Sequence, residues 1–254
     1  VSQTNRIIAF FNQSGGVGKT TLTMNVGYHL AQRQHRVLLL DLDPQASLTT
    51  FMGLDPVILE KTVYQSIVGE ESLPIHTNLF GMDLAPSNIN LSAAELELVS
   101  ALMREMRLKS VLTSIKDEYD FILIDCPPSL GILTVISLVA ATHVLVPIQC
   151  QFKAFQGTDL LLNTVIRLRR VANPQLAFAG FIPTMYDSRT AQESRTYKAI
   201  QEQLTPLAKV FQPIPKTTSF PDASEAKLPL ALLKAKHPAI PILETIAEHL
   251  ENLL

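Results

Sequence analysis

The sequence predicts an α/β fold, a doubly wound and mostly parallel sheet in a single domain spanning residues 1–254. Three observations predict it. Short apolar runs rich in β-branched residues alternate along the chain with longer stretches of helical period. The runs show little polar alternation, as strands buried on both faces do. A glycine-rich loop joins the first run directly to the first helical stretch.

In chain order, residues 6–12 read as the first strand and 19–33 as the helix that opens from the glycine loop. Residues 36–41 are a second strand, 79–85 a weaker one, and 92–115 a long helix. Glu95 stands three residues after Ser92 there, the spacing of a capping box. Strands at 121–125 and 143–148, a helix at 155–171, a strand at 176–183 and a helix at 191–204 follow. Residues 210–214 are a further weak strand, within a proline-spotted stretch (206–241) that reads as loops and short helices over the sheet edge. Residues 242–254 form a short amphipathic helix.

With 254 residues, 47% hydrophobic and 17% charged, the chain can bury a large core, and its composition argues against long disorder. A net charge of -2 neither demands nor excludes a nucleic-acid partner. Cys126 and Cys150 lack CxxC spacing, which argues against a disulfide framework or zinc site and for a reducing compartment. No apolar run approaches the roughly 18 residues of a membrane helix. Residues 1–6 are polar, without the pattern of a secretion signal. The expected location is cytoplasmic.

The segment Ser14-Gly15-Gly16-Val17-Gly18-Lys19-Thr20-Thr21 carries the most chemistry. Glycines between a strand and a helix let successive backbone N–H groups converge on one anion, and the helix N-terminus adds its dipole. Lys19 supplies an ammonium for β/γ-phosphates, and the Thr20 hydroxyl is a Mg²⁺ ligand. This is a P-loop, and it predicts Mg²⁺-ATP as cofactor. Two acidic turns end predicted strands: Asp41-Leu42-Asp43-Pro44-Gln45 and Asp125-Cys126-Pro127-Pro128. Carboxylates at the C-terminal ends of parallel strands lie where such sheets bind ligands. Asp43 and Asp125 are candidates to hold the Mg²⁺ shell or orient the attacking water, although aspartates also cap turns. The role of Asp41 stays open.

These motifs, with Ala46-Ser47, Val146-Pro147-Ile148-Gln149 and Thr184-Met185-Tyr186-Asp187-Ser188-Arg189, resemble the ParA/MinD family of deviant Walker P-loop NTPases, nearer its ParA branch. The resemblance spans nearly the whole chain. It implies an ATP-dependent homodimer, weak hydrolysis stimulated by an adaptor protein, non-specific binding to nucleoid DNA, and a nucleoid-associated location. It makes Asp43 the residue that positions the attacking water and puts Asp125 near the metal. It also places the adenine against Met185, Pro213 and Pro215.

One position departs from that pattern. The family carries a lysine where this chain has Ser14, and a short neutral hydroxyl supplies no cation to the transferring phosphoryl group. Lys153, in the loop after residues 143–148, is either a solvated lysine or the substitute acting in trans. Serine at this position resembles the ATPases that distribute carboxysomes, with plasmid or chromosome partition as the alternative cargo.

Candidate DNA contacts are Arg167, Arg169 and Arg170, then Arg189, Arg195, Lys198, Lys216, Lys227, Lys234 and Lys236. An ordinary solvated surface is the alternative. A membrane-cycling role, as in the MinD branch, is disfavoured because the last helix carries glutamates and no lysine or arginine. Iron–sulfur binding lacks cysteines at cluster spacing. A metabolic kinase or ligase would need an acceptor pocket that the residues do not indicate.

Overall fold

The computed structural model describes residues 6–253, so the reading of the first five residues and of Leu254 lies outside it. The chain begins with β1 (Arg6–Phe10), α1 (Lys19–Gln32), β2 (Val37–Asp41), α2 (Ser47–Phe51), α3 (Val63–Val68), β3 (His76–Leu79) and β4 (Met82–Ala85). It continues through α4 (Leu91–Glu97), α5 (Arg107–Thr113), β5 (Phe121–Asp125), α6 (Ile132–Ala140), β6 (His143–Gln149) and α7 (Phe152–Gln156). It closes with α8 (Thr158–Val171), β7 (Ala177–Thr184), α9 (Ala191–Leu204), α10 (Ser219–Glu225), α11 (Leu230–Leu233) and α12 (Ile240–Glu251).

The seven strands lie in the order β3-β4-β2-β5-β1-β6-β7, parallel except for the β3–β4 pair. Side-chain alternation splits the core in two. Ile8, Phe10, Leu39 and Leu123 pack with α1 and α12, while Ala9, Leu38, Leu40 and Ile122 pack beneath α6, α5 and α8. Both sheet faces are therefore covered, which explains the unbroken apolar runs. β1 is central, and its C-terminal end opens between β5 and β6.

Several expectations are corrected. The single strand over 79–85 is a hairpin, because Phe80 and Gly81 take φ of 57° and 82°, the left-handed pair of a tight turn. The long helix over 92–115 is two short helices around irregular turns, with Met103 left-handed at φ 49°. Its proposed capping box is absent: Asn90 precedes the helix and Ser92 lies inside it. A true capping box joins Thr62 and Gln65 at α3. Residues 210–214 make one bridge, Phe181 to Val210, and no strand. The helix over 155–171 is divided at Gly157. α6 escaped notice because it is buried on most sides, so it carries no polar stripe to mark a helical period.

Candidate functional site

The loop from β1 to α1 is shaped by its glycines. Gly16 and Gly18 take φ of 71° and 95°, where a side chain is strained, and Gly18 is the residue from which α1 starts. Both ends of the loop are tied to the sheet. Asn12 Nδ2 donates to the Pro147 carbonyl at 2.6 Å, while its Oδ1 accepts the Ser14 N–H at 2.9 Å. On the far side, the Thr184 hydroxyl at the end of β7 donates to the Val17 carbonyl at 3.0 Å. A preformed cradle of this kind binds an anion without reorganising.

Lys19 Nζ donates to the Ser14 carbonyl at 2.9 Å, folding the ammonium back over the loop. Burial pulls its pKa below the usual lysine value, and Asp125, Cys126 and Asp43 oppose that pull. Asp125 and Asp41 are register partners on adjacent parallel strands, both wholly buried. Burial, then the Asp41 carboxylate, push the Asp125 pKa well up, while Thr20 and Lys19 act the other way. Burial lifts Asp41 to about 7 against the bonds it accepts from Thr49 and Asp43.

The two carboxylates differ in how they are satisfied. Neither Asp125 oxygen has a well-formed protein hydrogen bond. Buried acceptors left open beside Thr20 and Lys19 fit the hydrated shell of Mg²⁺. Asp41 is saturated by its own neighbours.

A cavity of ≈ 610 Å³ opens over the cradle, a size suited to a nucleotide. Its lining includes Gly15, Gly16, Val17, Gly18, Lys19, Thr20 and Thr21, then Asp43, Met185 and Pro215. The structure thus gathers most of the sequence-derived site. Ser14 and Asp125 are not part of the lining, and Lys153 is exposed on α7, a short helix and not the loop expected. Pro213 is corrected: Ile214 and Pro215 line the cavity and Pro213 does not. Sequence reasoning missed Phe51, Thr217, Phe220 and Ser224, which line it from segments without any spacing motif.

The candidate DNA residues are not equivalent. Arg167, Arg169 and Arg170 are exposed together along α8. Arg189, Lys198 and Lys234 each pair with a carboxylate, and Lys216 lines the nucleotide cavity. Cys126 and Cys150 are buried free thiols, each pushed up to about 12 by burial. Among the described residues there is no cluster of three metal-ligating side chains and no helix long and apolar enough to cross a membrane. The apolar stripe of α12 (Leu243, Ile246, Ala247, Leu250) is buried in the core.

A cradle of this form, with two acidic strand ends and a nucleotide-sized cavity above it, defines a P-loop NTPase. Residues 5–178 match the AAA domain family. The chromosome-partitioning ATPase Soj of Treponema pallidum is 40% identical over 239 residues, 91% of each chain. The chromosome partitioning protein ParA of Caulobacter vibrioides is 40% identical over 77% of this chain and 75% of its own length. The structure of cobyrinic acid a,c-diamide synthase from Mycobacterium smegmatis with bound ATP analogue and magnesium is 37% identical. It superposes with a TM-score of 0.80 over 91% of this chain and 95% of that one. The chain belongs to the ParA/MinD family of deviant Walker ATPases, and ATP and Mg²⁺ are its cofactors.

Proposed function

We propose that this ATPase is a partition or positioning protein. It forms a homodimer around ATP, binds nucleoid DNA without sequence preference, and distributes a cargo with an adaptor protein that stimulates hydrolysis. The observation that carries this reading is the 40% identity to a chromosome-partitioning ATPase along 91% of both chains. Bound Mg²⁺ supplies charge neutralisation at the transferring phosphoryl group. The loop amides and Lys19 hold the β/γ-phosphates, Thr20 and Asp125 hold the ion's shell with Asp43 beside it, and Asp43 orients the attacking water. Met185, Ile214 and Pro215 give the adenine an apolar seat.

Ser14 leaves the dimer without the family's trans-acting cation. Lys153, exposed on α7 beside the loop that Gln13 ties to Gly157, supplies it to the partner's site. Lys153→Ala is expected to lose ATP-dependent dimerisation and turnover; unchanged values in both assays dispose of the role. The exposed Arg167, Arg169 and Arg170 are the strongest candidates for DNA contact.

The experiment that tests the whole reading is sizing and DNA binding with no nucleotide, with ADP and with ATP. A protein that stays monomeric and binds no DNA in ATP is not a partition ATPase. The partition relatives favour a chromosome as cargo, whereas Ser14 favours carboxysomes. The resemblance to a cobyrinic acid a,c-diamide synthase supports a second reading, an ATP-dependent metabolic enzyme. Turnover that requires a small-molecule acceptor favours that one. ATP-dependent co-sedimentation with anionic liposomes would favour a membrane-cycling ATPase instead.

A further inference from the structure

Asp41 ends β2 two residues before Asp43, and none of the roles above uses it. It is wholly buried yet fully engaged. Its Oδ1 accepts the Asp43 N–H at 3.1 Å, and its Oδ2 accepts the Thr49 N–H at 2.9 Å and the Thr49 hydroxyl at 2.8 Å. The Thr49 oxygen in turn accepts the Ser87 N–H at 2.9 Å, just past β4. Asp125, facing it across the β2–β5 pair, makes no such set.

The contacts of Asp41 bracket one turn. Residues 42–48 carry Asp43 and the cavity-lining Gln45 and Ser47. The turn is tight: Ala46 N–H donates to the Asp43 carbonyl at 2.9 Å, Gln45 N–H donates to Asp43 Oδ1 at 3.0 Å, and Ala46 is left-handed at φ 53°. A non-glycine residue stays in that region only where its surroundings over-determine it. Asp41 does so by gripping the turn at its start and just beyond its end.

We propose that Asp41 is a positioning residue: with Thr49 it clamps both ends of the 42–48 turn and thereby fixes the Asp43 carboxylate against the phosphate loop. This inference rests on the water-orienting role given to Asp43 above.

Thr49→Val tests it, because valine keeps the shape and the backbone N–H but removes the hydroxyl that joins Asp41 to Ser87. Thr49→Ser keeps the hydroxyl. A misplaced catalytic group costs on the order of a hundredfold, so kcat of Thr49→Val is expected to fall about tenfold to a hundredfold. Affinity for a fluorescent ATP analogue is expected to stay near wild type, and Thr49→Ser is expected to restore most of the rate. Wild-type kcat in Thr49→Val overturns the proposal, and so does a parallel loss of rate and affinity, which is a folding defect. Asp41→Asn, which keeps one acceptor of two, is the second variant and is expected to behave like Thr49→Val. If neither variant folds, the clamp serves the fold and not Asp43, and the proposal is overturned. Asp43→Ala run alongside separates the two claims. Turnover that survives Asp43→Ala refutes the role of Asp43, whereas turnover lost there but intact in Thr49→Val refutes the clamp alone.

Discussion

Gly180 lies within β7 at φ 156°, and a Cβ built there would stand 2.6 Å from Phe211 Cε2 and 2.7 Å from the Lys209 carbonyl oxygen. The ring has some freedom to turn, but the carbonyl does not. That same oxygen accepts the Phe181 N–H at 2.8 Å, and Phe211 N–H donates back to the Phe181 carbonyl at 2.9 Å. Gly180→Ala therefore drives apart the segment that closes the outer edge of the sheet. The glycine-only backbone region costs about 1–3 kcal/mol for another residue, and overpacking adds about 1–3 kcal/mol. A total of about 2–6 kcal/mol lowers the melting midpoint of a domain this size by about 4–24 °C, at about 2–4 °C per kcal/mol. The effect reaches the nucleotide, because the next residues bond Ile214 N–H to the Pro183 carbonyl at 2.8 Å and bring Ile214 and Pro215 to the cavity. Thermal melts with and without Mg²⁺-ADP are the assay. The variant should melt early and regain less on adding nucleotide. A midpoint within about 1 °C of wild type refutes the argument from the close backbone approach.

Three further outcomes follow from the site. Lys19→Ala should weaken Mg²⁺-ATP binding by about tenfold to a hundredfold, the worth of a charged hydrogen bond, and calorimetry with unchanged heat would exclude the phosphate site. The Mg²⁺ dependence of nucleotide binding should fade as pH falls. The raised pKa of Asp125 keeps it protonated at pH values where a free aspartate is ionised, so protons compete with the ion as pH falls. Nucleotide titrations with magnesium and with chelator at a series of falling pH values check the direction, and a Mg²⁺ effect that grows toward acid contradicts it. The double change Arg169→Glu and Arg170→Glu should reduce the salt slope of DNA binding by about two without changing ATP affinity, which filter binding at several salt concentrations measures.

The parts of the fold legible in the sequence are those whose signal is local. The five main strands read correctly because both faces of the sheet are covered, leaving runs such as Val37–Asp41 almost wholly apolar. The same burial hid α6, which is apolar except for the buried Thr134 and Ser137. The break in the predicted helix over 92–115 has no glycine or proline to announce it. Met103 turns left-handed between the two short helices that replace it.

The phosphate cradle was determined by sequence alone, since glycines, lysine and threonine that act as one group are contiguous and their backbone geometry follows from residue type. Tertiary structure decided what contiguity does not encode. It brought Thr217, Phe220 and Ser224, about two hundred residues from the loop, onto the cavity wall. It also separated two aspartates that look alike in the chain. Asp41 and Asp125 both end buried strands, but Asp41 takes three well-formed hydrogen bonds, from Asp43 and Thr49, whereas Asp125 faces Thr20 and Lys19 across the phosphate site. A carboxylate saturated by its neighbours becomes part of the frame, and one whose acceptors stay open is free to bind a cation. That difference depends on which groups folding places within hydrogen-bonding reach.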